Sequence, residues 1–321
     1  MPGTILVTGG AGFIGSNLVR RLLNEGYNVR IFDSLKRCDP FALDELDVEI
    51  IQGDILDEEG PLQAAMQGVD ACFHLAAYGS VVESVADPRT NFAVNAQGTL
   101  NVLCAARDAE VEKFVFSSTG GALIGDVTPP VNEQSLPRPI SPYGASKLVG
   151  EAYLNAFSAS YGMKTTACRF ANIYGPGSAH KKGAITVFIK CLMTGDPIPI
   201  YGDGSATRDQ LFVLDLCEGL LKALQSEGDE DSRVFHLASG IETPVLKVAN
   251  ELLKITAKPD HPIEHLDPRP GEVHRNFATY DKAKAELGFT PQTDFPDGLR
   301  ATWEWFQMQG NRIFDIELTD S

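Results

Sequence analysis

A glycine-rich turn near the amino terminus constrains the fold more than any other feature of this sequence. The strand-like run TILVTG leads directly into GGAGFIGSNLVRRLL. There Gly10, Gly12 and Gly15 fit the pattern GxGxxG, and Gly9, Gly12 and Gly15 fit GxxGxxG. Glycines at these spacings let the chain turn tightly after a strand, approach a pyrophosphate and pack the next helix on that strand. An ordinary tight turn also uses glycine, so the interpretation depends on the surrounding sequence.

Short β-rich runs alternate with helical runs over the first half of the chain. The strand-like runs are TILVTG, NVRIFD, VEIIQGD, ACFHLAA and FVFSST, and residues 14–23, 62–67 and 93–109 have helical patterns between them. This alternation is typical of a parallel sheet with helices on both faces. We therefore predict an α/β fold, a Rossmann-type doubly wound parallel sheet with right-handed crossovers.

The pattern changes after residue 170, where glycine, proline and charged residues become denser, as in GDPIPIYGDGSATRD. Such segments indicate loops folded over a ligand rather than another sheet. Two later runs, LFVLDLCEGLLKAL and RVFHLASG, again resemble a helix and a strand. We predict an NAD-binding Rossmann domain over residues 1–170, to which residues 211–238 return, and a smaller C-terminal α/β substrate domain over residues 171–321.

Charge and composition argue against several classes of partner. The chain has 43 Asp and Glu against 27 Lys and Arg, a net charge of -16 that repels polyanions, so nucleic acid is not expected. A leader pattern and a bilayer-spanning apolar run are both absent from the sequence, so we expect no membrane partner and a cytoplasmic location. Six dispersed cysteines without CxxC spacing, and no histidine cluster, predict no metal site.

Asp33 adds a second sign of dinucleotide binding. It closes the run NVRIFD, 18 residues after Gly15. A carboxylate at the end of the second strand binds the hydroxyl groups of the adenosine ribose and repels a 2′-phosphate. The glycine turn, its helix and this acid together predict NAD as the cofactor in preference to NADP.

The segment SPYGASK places Tyr143 four residues before Lys147, at the predicted start of a helix. On a helix these side chains face the same way, and an ammonium beside a phenol favours the phenolate and lowers its pKa. Alone, such a pair would be interpreted as a surface pair. Together with the dinucleotide turn and Thr119, which ends the strand-like run FVFSST, it predicts a catalytic set with the phenol as base.

Seven motifs occur in order along nearly the whole chain: TGGAGFIG, NAQGT, FSSTGGALIGD, SPYGASK, RFANIYGPG, YGDGSATRD and RPGE. In these motifs the sequence resembles the extended short-chain dehydrogenase/reductases of the nucleotide-sugar epimerase/dehydratase family. The resemblance implies that Tyr143 takes the proton from a sugar hydroxyl as hydride leaves the same carbon for NAD+. It also implies that Lys147 binds the nicotinamide ribose and that Thr119 hydrogen-bonds the reacting sugar oxygen.

The resemblance further implies which positions line the cofactor and the substrate. The cofactor positions are Gly9, Gly12, Phe13, Ile14, Gly15, Asp33, Asp54, Ile55, Leu75, Ala76, Ala77, Asn95, Tyr143, Lys147 and Phe170. The substrate positions are Thr119, Tyr143, Asn172, Pro199, Tyr201, Arg208, Arg269 and Asn276. Among these, Asn172 corresponds to a residue that bonds the diphosphate or the sugar.

Two arginines correspond to the family's diphosphate-binding positions. Arg208 and Arg269 could grip phosphates as forked donors, with Asp209 expected to orient Arg208. Pro199 and Tyr201 fall where the family holds the nucleotide base, usually uracil. The resemblance therefore favours a UDP-sugar, and thymidine or another base stays open.

The residues after Thr119 bear on the reaction. Family members that dehydrate the sugar carry Asp-Glu there, and decarboxylases usually keep a glutamate nearby, whereas this chain has Gly120, Gly121 and Ala122. Without an acid at these positions the resemblance implies 4-epimerisation, in which a transient 4-keto sugar is reduced again on its opposite face. Asn276 stands where strict glucose/galactose enzymes have a bulky tyrosine, so we expect tolerance of an N-acetyl or carboxyl group.

Other interpretations stay open. One is a dehydratase, decarboxylase or reductase whose extra acid comes from elsewhere in the chain, and another is an NAD-sensing protein without catalytic activity. Relatives pair the helices that correspond to residues 93–109 and 148–157, so the resemblance implies a homodimer. His74 and His236 end strand-like runs, and we expect them to bond backbone groups rather than a metal.

Overall fold

The computed structural model describes residues 3–36, 38, 43, 46–57, 60–228, 232–268 and 274–314. Its strands are β1 Thr4–Thr8, β2 Asn28–Asp33, β3 Glu49–Gln52, β4 Ala71–His74, β5 Lys113–Thr119, β6 Lys164–Phe170, β7 Asn172–Tyr174, β8 Ile198–Tyr201, β9 Thr207–Phe212, β10 Ser232–Leu237, β11 Glu242–Pro244, β12 Ile263–Leu266 and β13 Arg275–Asn276. Its α-helices are α1 Phe13–Asn24, α2 Leu62–Met66, α3 Val81–Ala86, α4 Pro88–Phe92, α5 Gly98–Asp108, α6 Gly121–Ile124, α7 Pro142–Tyr161, α8 Ala184–Thr194, α9 Val213–Gln225, α10 Val245–Ile255, α11 Asp281–Leu287 and α12 Phe295–Gln309. A π-helical turn, Ala93–Gln97, joins α4 to α5, and a 3-10 turn, Gly310–Phe314, follows α12.

A seven-stranded parallel sheet carries the predicted strand-helix alternation. Its strand order is β10-β6-β5-β4-β1-β2-β3, and every neighbouring pair is parallel. Side chains alternate between the two faces of each strand, so Ile5 and Val7 of β1 pack with α1 and α9, whereas Leu6 packs with α2 and α5. The predicted Rossmann-type α/β fold is confirmed.

The order of the strands reverses between β1 and β4. From β1 the chain builds β2 and β3 on one side, and then crosses to β4, β5 and β6 on the other. The last paired residues of the two central strands are Thr8 and His74. In open α/β sheets the crevice beyond such a reversal is where ligands bind, so the site is sought at this edge.

Local sequence explains why α7, which starts near this edge, begins and ends where it does. The Ser141 hydroxyl accepts the Gly144 N–H at 3.1 Å and caps the first turn, and Pro142 occupies the first helical position, where its missing N–H costs nothing. Gly162, with a φ of 71°, ends the helix in the left-handed region. These signals fix which residues of SPYGASK lie on the helix.

The residues after β6 form further sheets as well as loops. Strands β11, β9 and β13 lie side by side with β7 also paired to β9, and β12 pairs with β8. Helices α8, α10 and α12 share an apolar core with these strands, which includes Phe188, Ile200 and Leu252. The prediction of loops instead of another sheet was therefore wrong. These strands have two to six residues each, too few for an alternating pattern to be visible in the sequence.

Residues 232–237 return to the large sheet as β10 and pair with β6, while α9 packs against α1. The division of the chain into domains at residue 170 stays a prediction. Among the described residues, none of the helices combines the length and the apolar character needed to cross a bilayer.

Candidate active site

The glycine turn lies against the loop that follows β4. Gly9 has a φ of 69°, and a Cβ there would lie 2.7 Å from Ala76 N, so only glycine fits. A Cβ on Gly15 would overlap Gly9 O, which explains the close packing of α1 on the turn. Gly12 precedes α1 in extended conformation without a side-chain cap. The first N–H groups of this helix, at residues 13–15, therefore have no intrahelical acceptors and can bind a phosphate.

Asp33 faces the same turn from the end of β2. Its Oδ2 accepts the Ala11 N–H at 3.0 Å, and its Oδ1 accepts the Leu35 N–H at 2.9 Å. Burial raises the pKa of this carboxyl, and the backbone hydrogen bonds oppose that effect. A carboxylate has about four lone-pair positions, and Asp33 also accepts from the Ser34 backbone, so about one remains for a ribose hydroxyl. A phosphate at this place would meet the carboxylate charge, so the geometry fits NAD better than NADP.

Asp54 and Ile55, which were predicted to line the cofactor, lie in the loop after β3. Asp54 Oδ1 accepts the Leu56 N–H at 3.1 Å, and its Oδ2 is 3.4 Å from Lys36 Nζ. Ile55 is buried, and Asn101 Nδ2 donates to its carbonyl oxygen at 3.0 Å. Asp54 thus stands half-exposed in this loop, whereas the Ile55 side chain belongs to the core.

Thr119, at the end of β5, and Tyr143, in the first turn of α7, are joined by a hydrogen bond between their side chains. Tyr143 is half-buried, and Ser84 Oγ accepts its backbone N–H at 3.2 Å. Burial raises the pKa of Tyr143 to about 12, and the bond with Thr119 opposes that rise. The structure therefore brings together the two predicted hydroxyls, which can share one substrate oxygen and its proton.

Lys147 is buried one turn further along α7, with 2% of its surface exposed. Its Nζ donates to Ser117 O at 2.8 Å and lies 4.7 Å from the centre of the Phe116 ring. Burial lowers the pKa of Lys147 to about 7. The predicted lowering of the Tyr143 pKa by Lys147 is not seen in the chain alone, where burial raises the pKa of Tyr143 and lowers that of Lys147.

The two glycines after Thr119 lie against side chains from distant strands. A Cβ on Gly120 would be 3.2 Å from His236 Nδ1, and a Cβ on Gly121 would overlap the carboxamide of Asn276. The Gly120 N–H donates to Phe170 O at 3.0 Å, which fixes this turn to the end of β6. The space that side chains at residues 120 and 121 would need is therefore already filled.

Five of the predicted substrate residues lie on strands of the smaller sheets: Asn172, Pro199, Tyr201, Arg208 and Asn276. Asn172 on β7 and Tyr201 on β8 are exposed, and Pro199 is half-buried. Arg208 lies on β9, where its Nη1 donates to the carbonyl oxygen of the preceding residue at 2.8 Å. Arg269 lies outside the described residues. Their roles toward a nucleotide stay predictions.

Asp209 does not orient Arg208, contrary to the prediction. Its Oδ1 accepts the Ser239 N–H at 2.8 Å and the Ser239 hydroxyl at 2.7 Å, and its Oδ2 accepts the Gly240 N–H at 3.1 Å. Asp209 therefore fixes the turn after β10. Neighbouring residues on a strand point to opposite faces, which is why adjacency in sequence was misleading.

The ring of His74 bonds side-chain hydroxyls rather than backbone groups, contrary to the prediction. His74 Nδ1 is 2.7 Å from Thr8 Oγ1, and its Nε2 is 3.0 Å from Thr99 Oγ1. Within the described part of the chain, neither ring nitrogen of His236 has a hydrogen-bond partner. Burial lowers the pKa of both histidines to about 3, so both are neutral at pH 7. Among the described residues, no group of three or more acids, histidines and cysteines could hold a metal ion.

Three serines beside the catalytic set were missed. Ser84 and Ser117 accept hydrogen bonds from Tyr143 and Lys147, as described above, and the Ser146 hydroxyl donates to Tyr143 O at 2.8 Å. Ser117 and Ser146 lie inside the motifs FSSTGGALIGD and SPYGASK, so the sequence offered a signal for them. Ser84 offered none, because its contact arises only when α3 packs on α7.

Residues 5–238 match the model of the NAD dependent epimerase/dehydratase family. The chain belongs to this family. A UDP-glucose 4-epimerase of Mycolicibacterium smegmatis is 36% identical to this epimerase/dehydratase over 311 residues, which cover 94% of this chain and 98% of the relative.

Solved structures of the epimerase/dehydratase family also match along the chain. A UDP-glucose 4-epimerase of Thermotoga maritima, solved with UDP-glucose, has a TM-score of 0.90 at 36% identity, covering 95% of this chain and 99% of that one. A UDP-glucose 4-epimerase of Thermus thermophilus, solved with NAD, has a TM-score of 0.88 at 35% identity and the same coverage. NAD is thus the cofactor of the family, and the glycine turn and Asp33 of this member fit it.

Proposed function

We propose that this protein catalyses the NAD-dependent 4-epimerisation of a UDP-sugar through a transient 4-keto intermediate. The family includes dehydratases as well as epimerases, so the choice between them rests on the chain itself. The deciding observation is the turn after Thr119. Residues 120–122 carry no acid, and the space beside Gly120 and Gly121 is taken by His236 and Asn276. Removal of a sugar hydroxyl needs an acid and a base in addition to Tyr143, and these positions supply neither.

The reaction begins when the sugar 4-hydroxyl gives its proton to Tyr143 and the C4 carbon gives up a hydride. NAD+, held by the glycine turn and Asp33, would supply the acceptor and later the donor of that hydride, and its positive charge would favour the Tyr143 phenolate. Thr119, hydrogen-bonded to the phenol, holds the 4-oxygen in place. Lys147, whose pKa burial lowers to about 7, carries a proton in part of the molecules at neutral pH and can stabilise the phenolate while it binds the nicotinamide ribose.

The second half of the cycle reverses the first on the other face of the sugar. After the 4-keto sugar has turned over, Tyr143 returns the proton to the 4-oxygen as C4 regains hydride. No atom is gained or lost, so substrate and product have equal mass. The cofactor ends each cycle in its starting state, so the enzyme needs no second redox substrate.

We assign the remaining contacts to the residues that the sequence predicted for them. Residues 13–15 and Asp33 hold the pyrophosphate and the adenosine ribose, while Phe170 and residues 75–77 line the nicotinamide side. Arg208 and Arg269 bind the diphosphate of the substrate, Asn172 bonds the diphosphate or the sugar, and Pro199 with Tyr201 hold the uracil. Asn276 replaces a larger side chain beside the sugar, so N-acetyl and carboxyl substituents are accepted.

The test uses the purified protein without added cofactor. Released nucleotide is identified by mass, and the protein is then incubated separately with UDP-glucose, UDP-N-acetylglucosamine and UDP-glucuronate. The expected result is bound NAD and a 4-epimer of equal mass from at least one sugar. A product lighter by one water identifies a dehydratase, and one lighter by carbon dioxide a decarboxylase. Bound NAD with no turnover of any sugar identifies an NAD-binding protein without catalysis.

An apolar helix face supports a homodimer. Phe92 at the end of α4 is 58% exposed and Tyr153 on α7 is 38% exposed, with Leu100 and Cys104 of α5 half-buried. We propose that this face binds a second copy of the chain. Light scattering should show a dimer that Tyr153→Arg converts to a monomer, whereas Met308→Arg, an equally drastic change on exposed α12, leaves the dimer intact. A wild-type monomer would refute the dimer.

Thiol chemistry bears on the cellular location. None of the six cysteines, all of which the structure describes, forms a disulfide bond, as expected for a protein that works in a reducing compartment. We therefore place this enzyme in the cytoplasm.

A further inference from the structure

The carboxamide of Asn95 is fully buried and binds two separate parts of the chain. Its Oδ1 accepts the Tyr78 N–H at 2.7 Å, and its Nδ2 donates to Tyr78 O at 3.1 Å and to Ser146 Oγ at 3.1 Å. Ser146 Oγ donates in turn to Tyr143 O at 2.8 Å. Asn95 therefore joins the loop of residues 75–78 to the helix that carries the proposed base.

A second buried chain of hydrogen bonds ends at the backbone of Asn95. The Thr99 hydroxyl donates to Asn95 O at 2.7 Å. Because a hydroxyl has one proton, Thr99 must accept from His74 Nε2, 3.0 Å away. The neutral His74 ring then accepts at Nδ1 from Thr8 Oγ1 at 2.7 Å, and Thr8 Oγ1 accepts the Ala76 N–H at 3.3 Å. Every donor in this series of hydrogen bonds has one acceptor, so the direction of each bond is fixed.

The π turn Ala93–Gln97, between α4 and α5, explains how Asn95 reaches both Tyr78 and Ser146. Asn95 lies at its centre, and an extra residue in a helical turn rotates the following side chains relative to an α-helix. Asn91, one turn earlier, also faces the loop, where its Nδ2 donates to Tyr78 O at 3.2 Å. Such turns are frequent at functional sites, and this one lies beside the switch point of the sheet.

We propose that Asn95 and His74 are positioning residues for the cofactor, which hold residues 75–78 against the glycine turn and fix this loop to α7. The predicted direct contact of Asn95 with the cofactor stays a prediction, for which one oxygen lone pair is left. Both N–H donors of its carboxamide, and one of its two oxygen lone pairs, already bind protein groups. The inference rests on the cofactor site of the proposed function and does not depend on the sugar.

Loss of the Asn95 carboxamide, or of the Thr99 hydroxyl that binds His74, should loosen the loop on one side of the cofactor. The Tyr78 N–H would lose its acceptor on Asn95, so the loop must shift or admit water. Loss of the Thr99 hydroxyl would leave His74 Nε2 and Asn95 O without their partner. Both changes act on residues 75–78, which touch the glycine turn at Gly9 and Ala76.

The experiment measures how fast bound NAD exchanges for isotope-labelled NAD in the purified full-length protein. Asn95→Ala and Thr99→Val should each speed exchange about tenfold or more, because each removes buried hydrogen bonds. Thr99→Ser keeps the hydroxyl and should restore slow exchange. Thr302→Val is the matched control, since Thr302 is also buried and donates to Gly298 O, one turn earlier, at 2.7 Å, but in the distant α12. Deuterium uptake at residues 75–78 should rise in the first two variants only.

Two results would overturn the proposal. Asn95→Ala and Thr99→Val with lower melting temperatures but wild-type NAD exchange would show that these groups only stabilise the fold. Equal acceleration in Thr302→Val would show a general effect of lost stability. If Asn95→Ala does not fold, the comparison of Thr99→Val with Thr99→Ser decides the question. A wild type that binds NAD but converts no sugar refutes the proposed function and leaves this test valid.

Discussion

The carboxamide of Asn276 lies on the backbone of Gly121, so closely that a Cβ on residue 121 would overlap it. Gly121 follows the end of β5, whereas Asn276 belongs to β13. This contact therefore joins the catalytic edge of the large sheet to the strands that follow it. A larger residue at position 121 would therefore displace the Asn276 side chain, and a smaller residue at position 276 would leave a space beside Gly121.

Gly121→Ala should displace the Asn276 side chain and cost about 1–3 kcal/mol of unfolding free energy, as overpacking does. Adding Asn276→Ala should recover most of that loss, because the space is then free. Urea unfolding of the single and double variants measures the coupling. Gly183→Ala is the control, since a Cβ at Gly183 would have no described atom within 4 Å. Strictly additive losses would contradict the contact.

Tyr143→Phe should reduce kcat by a factor of about 10² to 10⁴, the usual contribution of a positioned base. Binding of NAD should change little, since the ring remains. Turnover of the accepted UDP-sugar, followed by separation of the 4-epimers, measures the loss. Tyr161→Phe, at the far end of the same helix, should keep full activity. Undiminished turnover by Tyr143→Phe would remove the proposed base.

The buried amine of Lys147 should make stability depend on pH. Burial lowers its pKa from 10.5 to about 7, so between these values the unfolded chain holds a proton that the folded chain has lost. The contribution of Lys147 to the unfolding free energy thus rises with pH, by up to about 1.4 kcal/mol per pH unit. Measured on nucleotide-free protein, the wild type should therefore gain unfolding free energy relative to Lys147→Met between pH 7 and pH 10. Lys254→Met, on an exposed helix face, should show a constant difference.

Asp33→Asn should weaken NADH binding about tenfold, since hydrogen bonds to a charged acceptor are stronger than those to a neutral one. The same change removes the charge that repels a 2′-phosphate, so the preference for NADH over NADPH should narrow. Fluorescence titration with both nucleotides measures the ratio. Asp297→Asn, on exposed α12, should leave it unchanged. An unaltered ratio in Asp33→Asn would show that the carboxylate does not face the ribose.

Features coded by neighbouring residues were predictable from the sequence, and those that depend on distant contacts were not. The glycine turn and the start of α7 follow from local spacing and capping, so the Rossmann-type fold was predicted correctly. Asp209 was misassigned because its partner Ser239 lies on another segment. The pKa of Tyr143 was predicted in the wrong direction because burial, which no motif displays, dominates it.

The late return of β10 to the sheet has a consequence for synthesis. When β6 leaves the ribosome, the neighbour that will cover its outer edge has not yet been made, because residues 171–231 come between. An unpaired edge strand invites pairing with other chains. The nascent protein is therefore most exposed to wrong association while this intervening stretch is translated, and slow translation there would lengthen that period.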